Sequence, residues 1–128
     1  MNNTYIILIL LSAIIQLNAY NSKINSAYAI AIFHENKKGE NIQHVRKTKD
    51  DYNGTCYSKI VVFGKVTNAK TSVKIGDSIG VFVKATPIYN KYKIRIAQEQ
   101  TFKHYNVTKG YIEVRVNQKL YDSKVFIK

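Results

Sequence analysis

Tryptophan is absent from this chain, cysteine, proline and methionine occur once each, and acid is scarce: 8 Asp and Glu stand against 20 Lys and Arg. A single cysteine, Cys56, excludes an intramolecular disulfide, so the fold rests on a hydrophobic core, which a domain of this length can build unaided. Few carboxylates, all scattered, give no pair for general acid and base work. No glycine-rich stretch cradles a phosphate, and no glycine-flanked serine resembles a nucleophile elbow. Without tryptophan, the strongest sugar-stacking side chain is missing.

Charge is also missing from one place. No Lys, Arg, Asp or Glu precedes Lys23, and Tyr5 to Leu17 is a nearly unbroken apolar run closing on Leu17-Asn18-Ala19. The run is shorter than the ~20 residues that span a bilayer, and a small residue sits at the cut. It reads as a cleaved secretory signal peptide over residues 1–19, although the usual basic residue before the apolar run is lacking. Residues 20–128 then form a single secreted β-rich domain with no transmembrane segment, and the whole +12 charge falls on it. Export makes two glycan acceptors credible, Asn53-Gly54-Thr55 and Asn106-Val107-Thr108. In an oxidising compartment a lone cysteine is either buried and inert or exposed and able to pair with another chain. Burial is the commoner state of free cysteine, and a Cys56-linked homodimer is the open alternative because a sequon abuts it.

The hydrophobic pattern is that of strands. Tyr28 to Phe33 is apolar and ends in a turn-like Glu35 to Gly39. Ile42 to Lys49 reads as a weaker strand and Asp50 to Gly54 as a loop. Ile60-Val61-Val62-Phe63 is apolar on consecutive positions, which predicts a central strand covered on both faces. Asn68 to Asp77 reads as a polar linker with at most a short edge strand. Ile79 to Val83 reads as a buried strand stopped before Pro87. Lys91 to Ile96 alternates, with Tyr92, Ile94 and Ile96 inward and Lys91, Lys93 and Arg95 outward. Lys103 to Lys109 reads as a loop, Tyr111 to Val116 as a strand with Ile112, Val114 and Val116 inward, and Leu120 to Ile127 as the last strand. No segment after the signal peptide sustains a helical period. The expected fold is all-β, a small antiparallel sandwich or barrel of six to seven strands. The segments Cys56 to Val66 and Tyr92 to Lys103 resemble the first two strands of netrin-like and tissue-inhibitor barrels. The several half-cystines on which those domains rely are absent here, and no function is carried across.

A positive domain outside the cell attracts sulfated glycans, anionic lipid, acidic proteins or nucleic acid shed by damaged cells. Lys91, Lys93 and Arg95 are expected on one face at two-residue spacing, roughly 6.6 Å apart, a row that matches charge along a polyanion. Against this stands a plain solvated strand face whose lysines discourage edge pairing. Arg46, Lys47 and Lys49, with His44 beside them and Lys37 and Lys38 across a turn, form a second cluster. Of the tyrosines, Tyr57, Tyr92, Tyr111 and Tyr121 are expected to pack on strands, and Tyr89 and Tyr105, in loops beside cations, are the ligand candidates. The histidines His34, His44 and His104 have no metal-ligand spacing, and no metal or cofactor is expected.

The leading expectation is therefore a secreted, glycosylated basic protein that is not an enzyme. It binds an anionic extracellular partner (sulfated glycan, acidic protein or membrane surface), in the manner of a salivary or venom effector. One alternative is a small secreted hydrolase, with His34, His104 and a lysine serving as a ribonuclease site. Another is a protease inhibitor presenting Ala85 to Tyr89 as a rigid loop.

Overall fold

The computed structural model describes residues 23–66 and 68–128, so the expected signal peptide over 1–19 lies outside the described residues. Among the described residues the chain forms two antiparallel five-stranded sheets and no helix. The first contains β1 (Lys23–His34), β2 (Gly39–Asn41), β3 (Gly54–Lys65), β6 (Val81–Tyr89) and β7 (Arg95–Val107), in the order β2-β1-β3-β7-β6. The second contains β4 (Thr71–Ile75), β5 (Ser78–Ile79), β8 (Gly110–Val116), β9 (Lys119–Asp122) and β10 (Phe126–Ile127), in the order β10-β8-β4-β5 with β9 also paired to β8. Ten strands stand where the pattern predicts six to seven, and the surplus is four pieces of two to four residues, β2, β5, β9 and β10.

β3 lies in the middle of its sheet, with Ile60, Val61 and Val62 all buried, as the consecutive apolar run predicts. Its even-numbered residues Cys56, Ser58, Ile60 and Val62 point to the core, where they meet Ile32 of β1, Phe102 of β7, and Val73, Ile75, Ile112, Val114 and Val116 of the second sheet. The alternation in β8 is therefore read correctly. One core serves both sheets.

Four other segments depart from the pattern. Residues 42–49 form turns rather than a strand, because the side chain of Asn41 accepts a hydrogen bond from the Gln43 N–H (2.8 Å) and bends the chain away after β2. The segment is then gathered by the Glu40 carboxylate, which accepts from the N–H groups of Lys49 (2.8 Å) and Asp50 (3.1 Å) and from the buried Tyr52 hydroxyl (2.9 Å). β4 is an inner strand between β8 and β5, not an edge. β6 runs through Pro87 as an exposed edge strand, a position that tolerates a residue with no N–H. β7 continues to Val107, and Asn106 takes a left-handed φ of 53° where the β3–β7 register shifts between Gly54 and Cys56. Asparagine adopts that conformation more readily than most residues.

The sheets are joined at a corner between β5 and β6. Gly80 still donates its N–H to the Val73 carbonyl of the second sheet (2.8 Å), and the next residue, Val81, already pairs with Lys103 of the first. A Cβ on Gly80 would lie 2.8 Å from His104 Cε1 and 2.9 Å from Phe102 Cβ, so only glycine passes here without displacing the core. His104 is fully buried beneath it. Its Nδ1 faces the Ser78 carbonyl (3.4 Å), which can only accept, so Nδ1 carries the proton and Nε2 accepts from the Ser58 hydroxyl (2.8 Å). On the opposite side the buried Asp122 carboxylate of β9 accepts the Ala29 N–H of β1 (3.0 Å), a second tie between the sheets.

Burial pushes the His104 imidazole down to about 4 from its ordinary 6.5, so it stays neutral in the folded protein where the unfolded chain takes up a proton. The stability is fully present above pH 6.5 and is lost as pH falls toward 4, by up to about 3 kcal/mol. The urea midpoint should hold level between pH 7 and 8 and drop between pH 6.5 and 4, and His104→Gln should flatten that drop. An equal drop in the variant would exclude the imidazole as its source. Gly80→Ala should cost about 1–3 kcal/mol at pH 7, the usual range for overpacking.

Candidate functional site

The β6–β7 hairpin turns through Asn90 to Ile94. Asn90 donates its N–H to the Ile94 carbonyl (2.9 Å) and accepts from the Lys93 N–H (3.0 Å), while its side chain accepts from the N–H groups of Tyr92 (2.8 Å) and Ile94 (3.1 Å). Lys93 takes the left-handed φ of 62° that closes such a three-residue loop, a place where glycine or asparagine is usual. The expected strand over Lys91 to Ile96 is thus a turn entering a strand, and Lys91, Lys93 and Arg95 cluster around a hairpin tip instead of forming a straight row. Tyr92 (71% exposed) and Ile94 (59%) face solvent, not the core. The turn signal was present in the sequence as Asn90, whose side chain can cap the N–H groups of the residues that follow, and as Tyr92 between two lysines.

The surroundings of the tip are cationic. Strand pairing sets Lys23 against Lys65 at the same end of the first sheet. The short link from β3 to β4 and the β8–β9 turn bring Lys70 and Lys119 to that end of the second sheet, where the Asn117 N–H bonds the Lys70 carbonyl (2.8 Å). These four lysines lie outside the expected clusters, because only the register reveals where they sit. Among the described residues no carboxylate lies within ion-pair distance of Lys91, Lys93 or Arg95. The Lys91 ammonium stands over the Tyr92 ring (5.0 Å).

The second expected cluster is at the other end. Lys37 and Lys38 occupy the β1–β2 turn, and Lys47 and Lys49 the segment that lies along β10, with Arg46 adjoining through its carbonyl to Phe126. From Arg95 to Asn106 β7 runs roughly 35 Å at about 3.4 Å per residue. The two clusters therefore do not meet on one surface. Glu35, Glu40, Asp50, Asp51 and Asp77 share the far end with these cations. Acid there is mixed with base, while the hairpin end is nearly all base.

The tyrosines divide differently from expectation. Tyr57 and Tyr121 are half-buried, Tyr57 stacking on Phe33 (5.1 Å), but Tyr92 and Tyr111 are exposed. Tyr89 is exposed at the end of β6, and Tyr105 is exposed on β7 with the Lys103 ammonium 5.1 Å from its ring. Lys103 also lies over Tyr57 (5.5 Å) and pairs with Glu35 (3.7 Å), so its charge is partly spent within the protein.

Pairing aligns His34, Cys56 and His104 across β1, β3 and β7. Each ring is already engaged. His34 Nε2 meets Asp50 Oδ2 at 2.6 Å and its ring stacks on Tyr52 (4.4 Å), and this hydrogen bond holds the Asp50 carboxyl below its usual range. His104 uses both nitrogens on Ser58 and Ser78. Ala85 to Tyr89 is the second half of strand β6, paired along β7, where the inhibitor alternative expects a rigid loop. No three-residue metal-ligating group occurs among the described residues.

Asn53 and Asn106 are both exposed, and the pairing of Gly54 with Val107 makes them neighbours at the far end from the hairpin tip. A groove of about 650 Å³ beside them is lined by Lys47, Lys109, Lys128 and Phe126 together with Asp51. Comparison with protein-family models, curated proteins and solved structures finds no match.

Cys56 is fully buried, and burial pushes its thiol up to about 12, far from the thiolate that reacts with disulfides. A Cys56-linked dimer requires β3 to open first. The thiol should react with Ellman's reagent at pH 8 only at the rate of global unfolding, and immediately in denaturant. Rapid stoichiometric labelling of the native protein would contradict this placement.

Proposed function

We propose that the chain is a secreted basic protein of the sandwich type that works by binding, engaging an anionic extracellular partner (sulfated glycan, acidic protein or membrane surface) through the hairpin end. The observation that carries this reading is the segregation of charge along the long axis. Lys91, Lys93 and Arg95, with Lys23, Lys65, Lys70 and Lys119 behind them, meet no carboxylate among the described ion pairs, whereas the acids concentrate at the other end. Such an asymmetry orients the molecule in the field of a polyanion and speeds encounter. The cluster of Arg46, Lys47, Lys49, Lys37 and Lys38 contributes less, because Glu35, Glu40, Asp50 and Asp51 offset it. Glycans on Asn53 and Asn106 would crowd the far end and leave the hairpin clear. His104, fully buried with both nitrogens engaged by Ser58 and Ser78, is out of reach of a substrate, which favours binding over a hydrolase that uses His34 and His104 together.

Retention on a heparin column measures this directly. The protein should elute well above the ~0.15 M of physiological salt, with retention falling steeply as salt rises. Because each contact releases somewhat less than one counterion, Lys91→Ser/Lys93→Ser/Arg95→Ser should reduce the logarithmic salt slope by about two. Lys37→Ser/Lys38→Ser/Lys49→Ser should change it by less than half as much. Equal effects of the two triple variants would refute the assignment to the hairpin end.

A further inference from the structure

The hairpin end carries more than charge. Tyr89 (58% exposed), Tyr92 and Ile94 project beside Lys91, Lys93 and Arg95, and Ile96 is also exposed. A sulfated glycan takes the cations and can stack on the tyrosine rings, but it offers nothing apolar for Ile94 to enter. A bilayer surface uses both kinds of group. Phosphate headgroups take the lysines and arginine, whose long stems reach upward from the boundary, while tyrosine rings and a short aliphatic chain settle at the level where headgroups meet acyl chains.

We infer that the β6–β7 hairpin tip is an anchor for anionic lipid membranes, seated by Tyr92 and Ile94 and oriented by Lys91, Lys93 and Arg95. This rests on the proposed function and selects the membrane among its partners. Three features support it. The turn is built in advance by the Asn90 side chain, so binding orders little that is loose. The residue at the left-handed position is a lysine, which keeps a cation at the point of contact where glycine would be easier for the backbone. Five of the eight acids (Glu35, Glu40, Asp50, Asp51 and Asp77) and both glycan acceptors stand at the opposite end, some 35 Å away along β7, and Glu99, on β7 nearer the tip, is paired with Lys59, so little repulsion or bulk opposes approach. A second copy of this chain is a poorer occupant. A net charge of +12 repels its own kind, and Lys84 and Pro87 on the exposed edge of β6 resist strand addition.

Co-sedimentation of the full chain with phosphatidylcholine vesicles, with and without phosphatidylserine, tests the anchor beside heparin retention as a second readout. The wild-type protein should sediment with the phosphatidylserine vesicles and stay in solution with phosphatidylcholine alone. Tyr92→Ser/Ile94→Ser keeps every charge and should lose at least tenfold in vesicle affinity with heparin retention nearly unchanged. Lys91→Ser/Lys93→Ser/Arg95→Ser should lose on both, by roughly fivefold per cation on vesicles. All five positions are exposed, and equal melting temperatures would show that the variants fold. Retention on heparin without binding to phosphatidylserine vesicles would overturn the membrane anchor and leave polyanion binding standing. Unchanged vesicle binding by Tyr92→Ser/Ile94→Ser would overturn the seating role, and loss of binding to both surfaces in the wild type would overturn anchor and function together.

Discussion

Everything in this molecule turns on the close approach of Gly80 to His104. One strand run leaves the second sheet as β5 and enters the first as β6, and it does so by passing over a buried imidazole with no room for a Cβ. The imidazole must stay neutral to be buried there, and its two nitrogens hold Ser58 of β3 and the Ser78 carbonyl of β5. From this corner β6 sets out along β7 as an edge strand, far enough to carry the hairpin tip beyond the core. The Asp122 carboxylate on the Ala29 N–H closes the other side. A protein with a single cysteine thus obtains from two polar ties and a shared apolar core the rigidity that many small secreted domains take from disulfides.

A rigid frame gives the charge its meaning. Net charge alone says that a domain will be drawn to polyanions and will keep apart from itself, which many soluble proteins also do. Segregation along the axis says more, because it sets an end whose cations meet no carboxylate among the described ion pairs apart from one where acids and cations mix. The apolar residues at the contact end then separate a membrane surface from a soluble polyanion, since the desolvation of Tyr92 and Ile94 is favourable only where there is something apolar to enter. If both sequons carry glycans, the same axis separates a wet, crowded end from a bare one.

The sequence showed the all-β class, the central position of β3 and the inward face of β8, because consecutive or alternating apolar residues there answer to burial on two faces or one. It misled where exposure and apolarity coincide. Val81, Phe82 and Val83 look like core and lie on an exposed edge, and Tyr92, Ile94 and Ile96 alternate as a buried face would, yet all are exposed. Alternation reports a strand with one covered side only if another layer covers it, and here the hairpin reaches past the second sheet. Of the residues that defeated the pattern, Tyr92 and Ile94 are the ones the binding proposal uses. Register was equally hidden: no local signal places Lys23, Lys65, Lys70 and Lys119 at the end that carries Lys91, or sets Arg46 and Lys47 apart from it.

The absence of tryptophan permits a clean measurement of the central claim. In Tyr92→Trp the single indole reports from the hairpin tip, and in Tyr105→Trp it reports from an exposed site near the opposite end of β7. With phosphatidylserine vesicles the emission of Tyr92→Trp is expected to move to shorter wavelength and to be quenched by brominated acyl chains, while that of Tyr105→Trp stays as in buffer. Emission from Tyr92→Trp that is indifferent to vesicles which the protein demonstrably binds, or a shift confined to Tyr105→Trp, would contradict the orientation proposed here.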